Sequence, residues 1–410
     1  MVVHQYIKDF EAMEFGMFVH FGIYSVLGKA EWARALSGIS PEDYEAYADK
    51  FCPESDWAER LVKTAKGAGC KYATLTTRHH DGYSLYDTLG LSDFDAPHCA
   101  AGRDLVREFV DACNAEGIVP FFYHTLLDWR VESYKKNFKE YLKYLRKSVE
   151  VLCTQYGKIG GLWFDGWWDK ADEDWEFDEL YATIRKHQPT AMIINNTGLE
   201  RLGEKGHPEI DSVTFERGKP LNVNTPDAPK YLASEMCQVL GDHWGYASLD
   251  FNFKSMAELI GDYCTCRACG SNFLLNVGPK GNGYLREIDT AMLHTLGAWI
   301  DLYREATVGT RPAGIEVDGE TGDFIMKGED AYYLFCHNLP QFGDKNVIKN
   351  QPTICKLKVS FNMPEKVKSI SWLLNGEELD FTQDGEKVTL NTRPRPNGES
   401  TVIKVAKITV

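Results

Sequence analysis

Residues 158 to 168 read KIGGLWFDGWW. An apolar run of strand length ends on one carboxylate, Asp165, which is enclosed by Trp163, Phe164, Trp167 and Trp168. Few chains place an acid at the end of a buried strand among aromatic rings unless it has chemistry to do. The Asp-Gly step at 165 and 166 has a second reading, a turn or helix cap following the strand, which is a common use of that dipeptide. The stretch alone leaves both readings open, and its surroundings decide between them.

On either side the chain alternates between strand and helix patterns. Upstream, FGMFVHFGIYS (15 to 25) reads as a short strand ending at His20, followed by a loop that carries Glu31 and Trp32. Ser40 followed by Pro41 is an N-cap and first helical position, and a second amphipathic segment runs from 55 to 66. The strand at 71 to 77 presents Arg78, His79, His80 and Asp81 at its end. A helix at 103 to 116, a strand at 118 to 124 and a helix at 134 to 156 lead into the quoted stretch. Downstream come a helix at 175 to 187, strands at 191 to 196, 211 to 216 and about 231 to 236, a helix at 255 to 268, a strand at 272 to 277 and a helix at 284 to 306.

About eight strands, most followed by a helix, within about 300 residues have the size and grammar of a (β/α)8-like (TIM) barrel. The rival is a doubly wound open sheet, but no glycine-rich phosphate fingerprint follows an early strand. From Thr310 the pattern changes to short alternating segments, DAYYLFCHN, CKLKVSF, SISWLL and STVIKVAKITV, separated by turns such as Asn375-Gly376 and Asp384-Gly385. The expected organisation is a catalytic barrel over 1 to 308 and a C-terminal β-sandwich over 311 to 410.

The formal charge of −15 argues against a nucleic-acid or acidic-membrane partner. No stretch has the roughly 20 uninterrupted apolar residues of a membrane span. The opening MVVHQYIKDFEAMEF lacks the apolar core and cleavage site of a signal peptide, so a cytoplasmic chain is expected, although a mature secreted chain would show the same absence. The eleven cysteines are odd in number and scattered, which fits reduced thiols better than a disulfide framework. Cys264, Cys266 and Cys269 have a metal-like spacing, but they fall in a helix-like run without a second Cys or His pair, which argues against zinc. No metal and no cofactor is expected.

In a barrel, functional residues gather at the C-terminal ends of the strands. His20, His79, His80, Tyr123, His124, Asp128, Trp129, Asp165 and Glu216 fall there and converge on one pocket of carboxylates, imidazoles and rings. Metal-free glycoside hydrolysis uses such a set: two carboxyls flanking the scissile bond, donors for hydroxyls, and aromatic walls. His79 and His80 are neighbours, and strand alternation would turn them to opposite faces, against joint metal ligation and in favour of hydroxyl recognition.

GMFVHFGIYS, AEW, TTRHHDGYSLYD, YHTLLDW, GGLWFDG, SEMC followed by HWGY, and FLLNVGPKGNG together resemble the ordered signature of the α-L-fucosidases of glycoside hydrolase family 29, from residue 5 to about 300. The resemblance implies a catalytic barrel followed by a β-sandwich. It makes Asp165 the nucleophile of a covalent fucosyl-enzyme intermediate and places the sugar's hydroxyls against His20, His79, His80, Glu31 and Trp32. It sets Tyr123 beside the reacting centre, and Trp163 and Trp244 near the ring and its C6 methyl. For the general acid/base there are two candidates, Glu216 in VTFERG and Glu235 in SEMC. Glu216 is favoured because it ends an apolar strand ahead of the SEMC element, while Glu235 reads better as a supporting or sugar-contacting carboxylate.

One departure stands out. Many relatives carry Asn-Asp-Arg after the fifth strand, with the Arg near the nucleophile, whereas this chain reads Asn195-Asn196-Thr197, and Arg217 is the candidate replacement cation. The expected activity is exo-acting, retaining removal of terminal α-L-fucose from fucosylated oligosaccharides or glycans. The alternatives are a related 6-deoxy or galacto-configured substrate, or a silent sugar-binding protein on the same scaffold.

Overall fold

The computed structural model describes residues 1 to 199, 201 to 319, 322 to 342 and 357 to 410; Cys355 and Lys356, which open the expected strand CKLKVSF, lie outside the described residues. Eight parallel strands close on themselves: β1 (Phe15–Val19), β2 (Tyr72–Arg78), β3 (Val119–Thr125), β4 (Gly161–Asp165), β5 (Met192–Asn195), β6 (Ser212–Glu216), β7 (Ala233–Val239) and β8 (Asn272–Val277). The order around the barrel is the order in the chain. β1 pairs with β2 through Gly16 and Tyr72 and with β8 through Phe15 and Phe273, which closes the barrel and excludes the open-sheet alternative. Nearly every strand residue is buried, as expected of a parallel sheet covered on both faces.

The barrel interior is filled by side chains that include Phe18, Tyr72, Phe121, Tyr123, Trp163, Ile194, Cys237 and Leu274, closed from below by Ile7 and Phe10 of the helix Gln5–Glu11. The glycines of KIGGLWFDGWW belong to this packing. A Cβ on Gly160 would stand 2.1 Å from the Phe121 ring, and one on Gly161 would stand 2.6 Å from the Met192 carbonyl oxygen. The Gly161 position is pressed by the Phe121 ring as well, at 2.8 Å, so both glycines that lead into β4 are needed for the close approach.

The expected helix at 134 to 156 is two helices, Glu132–Lys136 and Phe138–Gln155. Asn137 breaks it, with φ of −150° and a side chain that accepts the Glu140 N–H at 3.4 Å, a capping geometry that asparagine favours over a helix interior. Ser40 caps the helix Pro41–Glu45 as its sequence suggests, by accepting the Asp43 N–H. No helix among the described residues is long and apolar enough to cross a membrane.

The chain divides into two compact units, Met1–Lys254 with Ser271–His294, and Ser255–Gly270 with Thr295–Val410. The second carries two antiparallel sheets. One has the order β13 (Ser369–Trp372), β16 (Lys404–Thr409), β11 (Tyr332–Cys336), β10 (Phe324–Lys327), β9 (Arg311–Pro312); the other has the order β12 (Lys358–Asn362), β15 (Lys387–Asn391), β14 (Phe381–Asp384). Leu334, Ile370, Trp372 and Ile408 from the first sheet and Val359, Phe361, Val388 and Leu390 from the second form one core, so the expected sandwich is present. The division by compactness differs from the boundary expected near 308 to 311. The helix Met256–Cys269 joins the second unit, because Arg267 Nη2 donates to the Thr310 carbonyl at 2.8 Å and Tyr263 packs edge-on against Trp299. Strand grammar does not register such contacts.

Candidate active site

At the C-terminal end of the barrel a pocket is lined by His20, Glu31, Trp32, His79, His80, Tyr123, Trp163, Asp165, Glu216 and Trp244, with Phe18, Trp168, Leu199 and Cys237. Ten of the residues singled out from the sequence meet there, while Glu235, His124, Asp128, Trp129 and Arg217 are not among the lining.

Asp165 ends β4, and Gly166 turns the chain sharply with φ of +98°. Its carboxylate caps no helix. It accepts from Tyr123 Oη at 3.2 Å, from Trp168 Nε1 and Asn196 Nδ2 at 3.4 Å each, and faces His80 Nε2 at 3.4 Å. The Thr125 hydroxyl donates to the Leu127 carbonyl, and the same oxygen lies 2.7 Å from Nδ1 of His80, which fixes the orientation of the ring that faces Asp165. Burial works against ionisation of Asp165, but the His80 hydrogen bond and charge, with Asn196 and Trp168, outweigh it and hold the carboxyl below its ordinary value.

Glu216 ends β6 across the pocket and accepts from Asn196 Nδ2 at 2.7 Å. Burial, followed by the charge of Asp165, pushes its carboxyl up to about 7. The two carboxyls are thus driven apart, one toward the anion and one toward the acid, which is how a single pocket divides roles between like groups. The Asn196 amide touches both. Its contacts of 3.4 Å to Asp165 Oδ1 and 2.7 Å to Glu216 Oε2 cap the separation of those two oxygens at their sum.

The imidazoles and rings supply the walls. His20 donates from Nδ1 to Asn276 Oδ1 at 2.6 Å, and burial pushes it down to about 3, leaving a neutral ring whose Nε2 accepts. Burial also holds His79 well below its ordinary value; its Nδ1 has no hydrogen-bond partner among the described residues, the kind of buried polar atom a ligand hydroxyl would satisfy. His79, Tyr123 and Trp163 stack in sequence, with centroids 5.4 and 5.7 Å apart. Trp32 lies near-parallel to Trp168 at 6.0 Å. Glu31 accepts the Gly245 N–H at 2.7 Å, which ties the loop after β1 to the loop bearing Trp244.

Several expectations are corrected. His79 and His80 do not diverge: β2 stops at Arg78, so strand alternation no longer governs them, and both rings face the pocket 4.3 Å apart. His124 and Asp128 stay out of it. His124 alternates away from Tyr123 on β3 and bonds the Thr125 carbonyl, while Asp128 Oδ1 accepts the N–H groups of Arg130 and Val131. Arg217 does not replace the family's cation at the nucleophile. Its Nη2 donates to the Asp242 carbonyl at 2.9 Å, its guanidinium lies 5.0 Å from the Trp244 ring centroid, and Asn196 holds the position beside Asp165.

Glu235 sits below the pocket floor on β7, fully buried, accepting from Tyr72 Oη at 2.5 Å and from Trp163 Nε1 at 3.0 Å. Burial pushes it up to about 7 as well, so proximity to a reacting bond, not acidity, separates it from Glu216. Glu235→Ala should orphan two buried donors at a cost of roughly 1–3 kcal/mol each. Denaturant unfolding should show that loss, and an unchanged midpoint would contradict the assignment of Glu235 as a structural carboxylate.

Asn196 and Trp168 contact Asp165 but drew no role from sequence reasoning, nor did Phe18, Leu199 and Cys237 of the lining. Asn196 is signalled only by its position, immediately after a barrel strand, and Trp168 by its place three residues after Asp165.

Comparison with known proteins agrees with this geometry. A family model described as alpha-L-fucosidase matches residues 2–305. The tissue alpha-L-fucosidase of Bos taurus is 26% identical over 402 residues, covering 89% of this chain and 81% of that protein, and the Homo sapiens enzyme is 25% identical over 369 residues, covering 80% and 75%. Among solved structures, alpha-L-fucosidase isoenzyme 1 from Paenibacillus thiaminolyticus superposes with a TM-score of 0.82 at 29% identity, covering 99% of this chain and 98% of that one. A family 29 alpha-L-fucosidase from Bacteroides thetaiotaomicron, trapped as a covalent intermediate with 2-fluoro-fucosyl fluoride, superposes with a TM-score of 0.81 at 22% identity, covering 99% and 96%, and so shares the fold.

Proposed function

Because the chain belongs to the α-L-fucosidase family of glycoside hydrolases, we propose that it removes terminal α-L-fucose from fucosylated glycans with retention, through a covalent intermediate on Asp165 and with Glu216 as general acid/base. The observation that carries the reading is the single amide shared by the two carboxyls. Their bridged oxygens lie no farther apart than the sum of 3.4 and 2.7 Å, under the roughly 6.5 Å at which inverting pairs begin.

Asp165, held ionised, attacks the anomeric carbon while Glu216 gives its proton to the departing glycosidic oxygen. Glu216 then takes a proton from water, whose oxygen attacks the same carbon and returns the bonding electrons to Asp165. The trapped intermediate of the Bacteroides relative follows a covalent course of this kind. The apolar wall of Phe18, Trp163 and Trp244 suits the C6 methyl of a deoxy sugar, where a hydroxyl would go unpaired.

The pH dependence tests the proposal. Asp165 works as the anion and its carboxyl is lowered, so activity falls only when pH drops below the usual carboxylate range. Glu216 works as the acid and is raised to about 7, so activity is lost as pH rises through about 7. The kcat/KM of an aryl α-L-fucoside should trace that bell, and Glu216→Gln should erase the alkaline limb. No turnover of the fucoside, or an alkaline limb that survives Glu216→Gln, would overturn the reading.

A further inference from the structure

Asn196 follows β5 (Met192–Asn195) and is buried to 1% exposure beside both carboxyls. Its Nδ2 lies 2.7 Å from Glu216 Oε2 and 3.4 Å from Asp165 Oδ1, and its Oδ1 accepts from Thr214 Oγ1 at 2.8 Å. Two carboxyl oxygens in contact with one end of an amide require that end to be the donor, and the Thr214 hydroxyl meets the other end as a donor should. The orientation is therefore dictated by chemistry on both sides. Thr214 lies on β6 two residues before Glu216, so the strand that presents the acid also orients the amide that touches it.

We propose that Asn196, oriented by Thr214, is a positioning residue that donates in turn to whichever of Asp165 and Glu216 carries the negative charge during the reaction. The inference rests on the roles given above to those two residues. At rest the charge is on Asp165 and Glu216 holds a proton. In the first step the bond from an Asp165 oxygen to the anomeric carbon forms, the glycosidic bond breaks, and the Glu216 proton goes to the leaving oxygen. Asp165 is now a neutral ester and Glu216 the anion. In the second step a water oxygen attacks the anomeric carbon, its proton goes to Glu216, and the ester electrons return to Asp165. The charge has crossed the pocket and come back.

An amide with two hydrogens spanning both oxygens can follow that charge without a change of rotamer. A fixed cation in the same place would favour ionised Glu216 throughout and oppose its protonated resting state. The neutral amide does so more weakly. Burial, the Asp165 charge and, less, the Glu31 charge raise Glu216, and the Asn196 contact followed by the Arg217 charge only partly offsets them; at Asp165, burial is opposed first by His80 and then by Asn196. The Arg217 guanidinium is bonded to the Asp242 carbonyl and set against the Trp244 ring, and it acts on Glu216 through its charge without a hydrogen bond to it.

The test is the pH profile of kcat/KM on an α-L-fucoside with a poor leaving group, for the wild type, Asn196→Ala, Thr214→Val and Glu216→Gln. Losing the donor should weaken the anionic form of both carboxyls, so both limbs in Asn196→Ala should move to higher pH by roughly half to one unit, with kcat falling about tenfold or more. Thr214→Val keeps the side-chain shape, alters no group that touches Asp165 or Glu216, and should move both limbs the same way by less. It carries the test if Asn196→Ala fails to fold. Limbs that stay at their wild-type positions in these variants overturn the inference even if the rate drops, because a merely structural contribution lowers rate or stability without moving the profile. A wild-type alkaline limb that persists in Glu216→Gln overturns instead the role of Glu216, and the inference with it.

Discussion

Asp165→Ala is expected to lower kcat on aryl and glycan α-L-fucosides by on the order of 10⁴-fold or more, while free fucose still binds. The size follows from what the carboxylate does. It is the strand-end anion against which Tyr123, His80, Trp168 and Asn196 are all arranged, and nothing else in the pocket can take its place as nucleophile. Glu216 is raised to about 7 and so is a weaker anion than Asp165 at neutral pH, and Glu235 lies under the floor, engaged by Tyr72 and Trp163. Fucose binding should survive because His20, His79, Glu31 and the ring walls do not depend on Asp165. Calorimetry of fucose binding alongside turnover separates the two effects. Substantial turnover in the variant would remove Asp165 from its role, and lost fucose binding would point to collapse of the pocket.

Glu216→Ala is expected to reduce kcat by roughly 10² to 10⁴, most for substrates with poor leaving groups, since proton donation matters most where the departing oxygen is most basic. Azide should restore turnover with activated aryl fucosides. It needs no general base, and it enters from the side Glu216 has vacated, where water would otherwise attack the fucosyl-enzyme. The product should be α-fucosyl azide, the anomer produced by two successive inversions. Glu235→Ala should show neither rescue nor an azide product. Rescue in the Glu235 variant alone would transfer the acid/base role to Glu235.

The barrel was legible because its strands are buried on both faces and therefore appear as apolar runs of strand length, each ending in polar or aromatic residues. Asp165, His20, Tyr123 and Glu216 could be placed by that rule alone, whereas Glu31, Trp32, Trp163 and Trp244 needed the resemblance to the family. What escaped depends on geometry beyond the strand. His79 and His80 share the pocket because β2 has already ended, and alternation is a property of strands only. Glu235 and Glu216 are equally plausible in sequence and equally raised, and only depth in the barrel separates them. Asn196 looked like the loss of a neighbouring cation; its contacts with two carboxyls and Thr214 involve three different strand ends and have no local signature. The helix Met256–Cys269 reads as the partner of a barrel strand, yet it belongs to the second compact unit through Arg267 and Tyr263.

The central claim, a covalent fucosyl ester on Asp165, is tested most directly by trapping. The wild-type protein is treated with 2-fluoro-fucosyl fluoride, its mass measured intact, and the labelled peptide sequenced. One 2-fluoro-fucosyl group on the peptide containing GGLWFDGWW, located at Asp165 and absent from Asp165→Ala, is the predicted result. A label on Glu216 or Glu235, or an unlabelled enzyme that releases β-L-fucose as the first product from an α-L-fucoside, would contradict it.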